Sequence, residues 1–595
     1  MGDGATCEVD VIVVGSGFGG SVAALRFAEA GHRVVVLERG DWVLRESHEP
    51  DADALWKPHR QLFGMHDFRA RGRNVIPWLG SCVGGGSHVY AATLKRLLSL
   101  DGFPAAVREE GLDEFYDVAE CVLDAQRYPD WAPYGQVRST QLLYRAGDRL
   151  KETHPELVEE WGAINLGISF APEGGQPGAP FTNKHGARQR YQDPQAPDLL
   201  GGDIGATNSL DLNYLFLAQK EGAEVRALCE ADRIEPLEGG GYRVHYVRRT
   251  PFPGRLRRHL ARWLPFLAAP VESTESLCAQ RVVLAAGSIG TTELLLRNRD
   301  VHGTLAGLGD ALGRGYSSNG DYVTLMQPFK GFYLSWAGLI VAAGAAVLGA
   351  WWIAAAGALA YAVGLLVSRR AFDPDIGATN SDYIRFVARD GSPQGVYVEG
   401  GRYPTPLRAG LAIALSVVGL WRPGRYKRIV ALTNFLRRWV PPFELIGRSW
   451  PIPLLQMGRD AARGTFALDE AGRAEIDFEL EANDDYYEYL GELGRLTSDA
   501  VGARWFPNFV ARTLRKVEVP HNLGGAHMAD GPADGVVDHA GRVFGYRDLL
   551  VLDGSVIPRA LGPNPALTIA ALAERAMRHV LDQIEREGSA RADPR

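Results

Sequence analysis

The stretch Val9-Asp-Val-Ile-Val-Val14, Gly15-Ser-Gly-Phe-Gly-Gly20, Ser21-Val-Ala-Ala-Leu-Arg-Phe-Ala28, followed by Val34-Val-Val-Leu37 and Glu38, decides the fold. An apolar run leads into clustered glycines. Next comes a segment whose apolar spacing suits a helix, and then a second apolar run that ends on a carboxylate. This is the order of a strand, loop, helix and strand that bind a dinucleotide. Glycines let the backbone approach a pyrophosphate, the helix N-terminus faces the anion, and the carboxylate takes ribose hydroxyls. A lone GxGxxG carries little weight, but three more segments extend this one: Gly80-Ser-Cys-Val-Gly-Gly-Gly-Ser87, Ala285-Ala-Gly-Ser-Ile-Gly290 and the stretch from His521 to Thr568. Together they read as one flavin site assembled from distant parts of the chain.

The composition of the 595 residues, 46% hydrophobic and 23% charged, is that of a globular protein with room for two to four domains. A formal charge of −7 gives no reason to expect nucleic acid as a partner. Cys7, Cys82, Cys121, Cys229 and Cys278 are scattered and form no CxxC. Neither a disulfide framework nor a metal site is therefore expected. Met1 to Val9 carry two acids and no basic residue before the first strand. No secretory leader is expected there, which puts the flavin site in the cytoplasm.

From Phe332 to Val367 no side chain is charged, while Lys330 precedes the run and Arg369-Arg370 follows it. Such a run exceeds the ~20 residues needed to cross a bilayer. A single span would put the two halves of the flavin site on opposite sides. A hairpin or re-entrant pair is expected instead, turning near Gly349 to Trp352 with both basic ends on the cytoplasmic face. Between Arg402 and Phe443 there are eight basic residues and no acid, and Arg248 to Arg262 contains six arginines among Phe252, Leu256 and Leu260. Basic, aromatic-bearing amphipathic stretches of this kind suit an anionic lipid surface. The polar tail from Gly588 to Arg595 is expected to fray.

The C-terminal order is specific: His521-Asn-Leu-Gly-Gly-Ala526, Gly541-Arg-Val-Phe-Gly-Tyr546, Leu550-Val-Leu-Asp-Gly-Ser-Val-Ile-Pro558 and Leu561-Gly-Pro-Asn-Pro-Ala-Leu-Thr568. It resembles the glucose-methanol-choline (GMC) flavoprotein oxidoreductase family, and within it the cholesterol oxidase branch. Ser209-Leu-Asp211, Gly313-Arg-Gly-Tyr-Ser-Ser-Asn-Gly320 and Arg463-Gly-Thr-Phe466 add to the likeness, which spans nearly the whole chain outside the apolar and basic insertions. The resemblance implies an α/β fold, with a Rossmann-like FAD-binding domain built from discontinuous segments. It also implies an α+β substrate domain, here carrying the apolar helical hairpin as an insert. Expected boundaries are 1–95, 205–310 and 509–595 for the FAD-binding parts and 96–204 and 311–508 for the substrate parts.

The resemblance also implies roles. His521 orients the alcohol and takes its proton, Asn564 tunes substrate and reduced flavin, and Glu399 in Gly395-Val-Tyr-Val-Glu-Gly400 is the counterpart of a glutamate that serves as base on a steroid. FAD is expected to be bound by Gly15, Gly17, Phe18, Gly19 and Gly20 at the pyrophosphate, Glu38 at the ribose, Gly86 along the diphosphate and ring, Ala231 at the adenine, and Asp553, Gly554 and Ala566 beside the ribityl and ring. Tyr90 stands where the family has asparagine, and Ala526 where cysteine is common. His88 is offset from the position at which histidine-linked members attach flavin, so FAD is expected to be non-covalent. Oxidising an alcohol requires a group to take the hydroxyl proton while hydride leaves carbon.

The expected activity is oxidation of a sterol or bulky lipid alcohol to the ketone or aldehyde at the cytoplasmic membrane, with oxygen or a quinone as acceptor. A long-chain fatty alcohol oxidase or a quinone-linked dehydrogenase is the alternative, and a non-catalytic flavin-binding membrane scaffold is the rival from another class.

Overall fold

In the computed structural model of the chain, residues 7–43, 65–67, 71–194, 205–250, 270–328, 337–338, 341, 350–369, 377–401 and 451–592 are described. The opening stretch folds as its pattern requires. Strands Val9–Val14 and Val34–Leu37 flank the helix Phe18–Glu29 and are almost wholly buried, as befits parallel strands covered on both faces. Five strands run parallel in the spatial order Glu224–Arg226, Val34–Leu37, Val9–Val14, the second half of Val271–Leu284, and Leu549–Val551. In chain order these are third, second, first, fourth and fifth, so the winding reverses between Val9–Val14 and Val271–Leu284. A crevice opens at such a reversal, beyond the carboxyl ends of the strands. Gly15 and Ala285, the residues that follow those two strands, lie there. The first half of Val271–Leu284 continues into an antiparallel meander with Tyr242–Thr250 and Cys229–Pro236.

A second sheet has six antiparallel strands in the order Arg504–Phe506, Tyr322–Gln327, Ile452–Met457, Val396–Gly400, Asp382–Phe386 and Val158–Ala163. Helices Arg138–Thr153 and Asp484–Ala500 pack on it. Along Val396–Gly400 the side chains alternate between two environments. Val396 and Val398 join the main core, whereas Tyr397 joins a smaller aromatic cluster with Tyr128, Tyr134 and Phe170. Glu399 shares the face of Tyr397 by the two-residue period of a strand.

The last helix, Ala566–Ala592, is fastened to the first. Arg26 donates from Nε and Nη2 to the two oxygens of Glu574 at 2.7 Å each, and the Tyr214 hydroxyl donates to the same carboxylate at 2.7 Å. A bidentate pair with a third donor satisfies a carboxylate that is only 6% exposed. The anchoring fixes where the loop preceding Ala566, with Asn564, must lie.

The uncharged run differs in part from expectation. Ala337, Gly338 and Val341 are helical, and a helix spans Trp351–Arg369. A Cβ on Gly338 would lie 2.4 Å from the Tyr361 nitrogen and 2.6 Å from the Gly357 oxygen, so the backbones meet there. Trp351 and Trp352, expected at a turn, instead open the helix, whose first bond runs from Ala354 N–H to Ala350 C=O. Among the described residues, no helix is long and apolar enough to cross a membrane. The basic segment 402–443, most of 248–262 and the end of the tail lie outside the described residues.

Candidate active site

A cleft opens at the winding reversal. Around it stand Gly15, Gly17, Phe18 and Gly19 from the first loop and helix, Glu38, Gly86, Ala231, Ala285 to Gly287, Asp553 and Gly554. The backbone is shaped for a close ligand. Gly15 has φ +96°, and a Cβ on it would lie 2.3 Å from the Ala285 oxygen. On Gly19 it would lie 1.4 Å from the Leu552 oxygen, so the first helix touches the C-terminal segment directly. No side chain caps the start of that helix, and its first N–H groups stay available to an anion. At Gly86 a Cβ would meet nothing within 4 Å, so a side chain there would occupy the cleft itself.

Glu38 accepts from Ser16 N–H at 3.0 Å, Ser16 Oγ at 2.7 Å and Gly40 N–H at 2.9 Å. Only one of these bonds falls on Oε1, which leaves acceptor capacity for a hydroxyl. Asp553 borders the cleft while its side chain is engaged within the protein. The carboxylate of Asp553 accepts from Gly287 N–H, the Thr291 hydroxyl, Ser555 N–H and the Ser555 hydroxyl, and is thus consumed in tying two protein segments together. Gly20 and Ala566 do not line the cleft. A Cβ on Gly20 would lie 2.1 Å from the Gly15 oxygen, so its smallness serves helix packing. Arg39, Glu230 and Arg297, which no motif marked, border the cleft together with Glu293. His88 is buried with Nε2 3.2 Å from Asp211 Oδ1.

The segment from His521 runs beside the cleft. Gly524 N–H donates to Gly554 C=O at 3.0 Å, and Ala526 N–H to Ser555 C=O at 3.0 Å. The Asn522 carbonyl oxygen lies 3.3 Å from a Cβ position on Gly554, which borders the cleft, while His521, Asn564 and Glu399 are not among the residues that line it. Asn319, in the left-handed region at φ 53°, holds the loop of Asn564. Its Oδ1 accepts from Leu561 N–H at 2.8 Å and Gly562 N–H at 3.1 Å, while its Nδ2 donates to the carbonyls of Gly562 and Pro563.

Asn564 Nδ2 donates to Glu399 Oε2 at 3.5 Å, and Asn380 donates to the same oxygen. Among the described residues, Glu399 Oε1 and Asn564 Oδ1 are buried without a hydrogen-bond partner. Burial pushes the Glu399 carboxyl up to about 7, against the opposing pull of His521 and Asn564. For His521 burial works against the charged form, but the Asp321 carboxylate beside it, with Glu399, prevails and holds the imidazole above its ordinary value. The three residues are thus one electrostatic unit built from the second sheet, the C-terminal segment and the loop before the last helix. Asn319 and Asp321 were foreshadowed only by the glycine- and serine-rich stretch Gly313 to Gly320, and Asn380 had no sequence signal.

Residues 496–573 match the family model described as GMC oxidoreductase, and residues 10–45 match an FAD binding domain. The cholesterol oxidase of Acinetobacter baumannii is 26% identical over 96% of this chain and 94% of its own length. In its C-terminal segment and over nearly its whole length the chain is thus similar to GMC oxidoreductases. The cholesterol oxidase of Mycobacterium tuberculosis strain H37Rv is likewise 26% identical over 96% of the chain and 90% of its own length. Among solved structures, pyridoxine 4-oxidase from Mesorbium loti superposes with a TM-score of 0.55 at 16% identity, covering 96% of this chain and 99% of that one, a likeness of fold. The protein is an FAD-dependent alcohol oxidoreductase, and the glycine-walled cleft with its uncapped helix and Glu38 fits the cofactor.

Proposed function

We propose that the chain oxidises the hydroxyl of a sterol or similarly bulky lipid alcohol to the ketone or aldehyde. The observation that carries this reading is the convergence of His521, Asn564 and Glu399 on one another, with buried acceptor oxygens left unpaired on two of them among the described residues. Unpaired buried oxygens cost free energy unless a bound donor satisfies them, which marks the place as one that receives a polar group. FAD, when bound, supplies the hydride acceptor. His521 takes the hydroxyl proton, Asn564 holds the oxygen in place, and Glu399 stabilises the protonated imidazole or acts as base on a steroid ring carbon. The full-length likeness to two proteins named cholesterol oxidase supports the sterol class. A second reading, a long-chain fatty alcohol, is favoured by one observation. A long-chain-alcohol oxidase of Arabidopsis thaliana is 42% identical over 93 residues, which cover 15% of this chain and 12% of its own length.

The enzyme is proposed to work at the cytoplasmic face of a membrane, where a water-insoluble alcohol enters from lipid and oxygen or a quinone takes the electrons. Trp351, Trp352 and Leu359 stand 71%, 77% and 66% exposed on one helix, with the basic stretch 402–438 elsewhere in the chain. Aromatic and aliphatic side chains of this kind suit the lipid interface. Anaerobic mixing with a panel of sterols and medium- and long-chain alcohols tests the substrate. Bleaching by sterols first, followed by reoxidation with air or quinone, is expected. No bleaching by any alcohol would refute the reading, and bleaching by straight-chain alcohols alone would replace the sterol with the second class.

A further inference from the structure

Asp321 has no role in the reading above, yet it is fully buried directly behind His521. It ends the turn Ser317 to Gly320 and precedes the strand Tyr322–Gln327. Its carboxylate grips His521 twice: the backbone N–H donates to Oδ2 at 3.0 Å, and Nδ1 lies 2.7 Å from Oδ1. The other carboxylate at this turn, Asp460, is engaged differently. It accepts from the Ser317 and Ser318 hydroxyls and from the N–H groups of Ser318 and Gly320, and so holds the turn in shape. Asp460 therefore supports Asp321, and Asp321 supports the histidine.

We infer that Asp321 is a positioning residue that keeps the proton of His521 on Nδ1, leaving the Nε2 lone pair to accept the hydroxyl proton of the alcohol. This rests on the proposed alcohol oxidation. A carboxylate 2.7 Å from Nδ1 can only accept, so the neutral imidazole must carry its hydrogen there. In the step itself the alcohol O–H bond breaks and its proton goes to Nε2. The C–H bond gives up its hydrogen with the electron pair, a hydride that FAD, when bound, would accept and be reduced by, and the oxygen lone pair closes the carbonyl. The imidazolium formed then lies between two carboxyl groups, Asp321 and Glu399. Other titratable groups near the pair are Asp460 and the tyrosines Tyr316, Tyr486 and Tyr487, whose hydroxyls burial keeps neutral.

Two measurements test this. Nitrogen-15 NMR of histidine-labelled holoenzyme, with the His521 signal identified by its loss in His521→Gln, is expected to show hydrogen on Nδ1 in the resting protein. A hydrogen on Nε2 alone would overturn the inference whatever the substrate proves to be. In Asp321→Asn, the amide can present N–H to Nδ1 and reverse the tautomer. The rate of anaerobic flavin reduction is expected to fall about 100-fold or more, with FAD retained and the half-saturating alcohol concentration little changed. The pH at which reduction is half-maximal should also fall, since a carboxylate that favours the imidazolium is gone, and Asp321→Glu should restore part of the rate. Reduction within about threefold of wild type and an unshifted profile in Asp321→Asn would refute it. Should that variant fail to fold, the tautomer of the wild type decides. Absence of reduction by any alcohol in the wild type, with hydrogen on Nδ1, would sink the substrate reading and leave the tautomer standing.

Discussion

At the residue scale, the chemistry depends on placing acceptors where an alcohol can use them. If His521 takes the proton and Asn564 holds the oxygen, His521→Ala and Asn564→Ala should each lower alcohol-driven flavin reduction by about 100-fold while the protein stays yellow. Stopped-flow absorbance checks this, and unchanged rates in both would remove the assignment. Glu399 makes a pH prediction with a definite sign. Its carboxyl, raised by burial to about 7, is neutral below that pH and charged above it. Where its charge assists proton removal, the reduction rate rises with pH through about 7. Glu399→Gln should delete that inflection and move the one due to His521 to lower pH, since a negative neighbour is lost. The same raised value makes ionisation in the fold costly, so folded-state stability should decline as pH climbs from the unfolded carboxyl value toward 7. A rate profile identical in wild type and Glu399→Gln would show that the carboxyl plays no part.

At the scale of elements, the site depends on glycines that leave room for a close backbone or for a ligand, and two of these separate folding from cofactor binding. A side chain at Gly19 would strike the Leu552 carbonyl, so Gly19→Ala should destabilise the fold by roughly 1–3 kcal/mol as backbone shifts to relieve the clash. Gly86 borders open space, and Gly86→Val should leave the melting temperature of the FAD-free protein near wild type while weakening FAD. Thermal unfolding of both variants with and without FAD is the check. Equal losses in the FAD-free state would contradict this division of labour. The element-level ties also add a structural part to a residue the motif marked for the cofactor. Asp553, expected beside the ribityl and ring, borders the cleft, and its carboxylate also ties Gly287, Thr291 and Ser555 together. Sequence marks such a residue as important without telling a ligand contact from a clasp between segments.

At the scale of the whole molecule, the membrane reading is the one with most to lose. Wild-type protein is expected in the membrane fraction and not released by high salt alone, because burial of Trp351, Trp352 and Leu359 in lipid is insensitive to ionic strength. Deleting 332–367 with a short linker should shift it toward the soluble fraction with acid-releasable FAD still bound. Recovery of intact wild type as a soluble protein without detergent would exclude it. Local chemistry sufficed to read the nucleotide-binding unit, because strand, glycine turn, helix and Glu38 sit within thirty residues of one another. The C-terminal motif was legible for the same reason, its glycines and prolines dictating backbone shape in order. What lay beyond the sequence was every partnership across long separations. Asp321 and His521 are 200 positions apart, and Glu399 and Asn564 are 165. Nothing in either segment encodes the other. Only the packing of the six-stranded sheet against the flavin-binding unit brings them within hydrogen-bond distance, and only burial there turns Glu399 from an ordinary strand carboxylate into a group that titrates near neutrality.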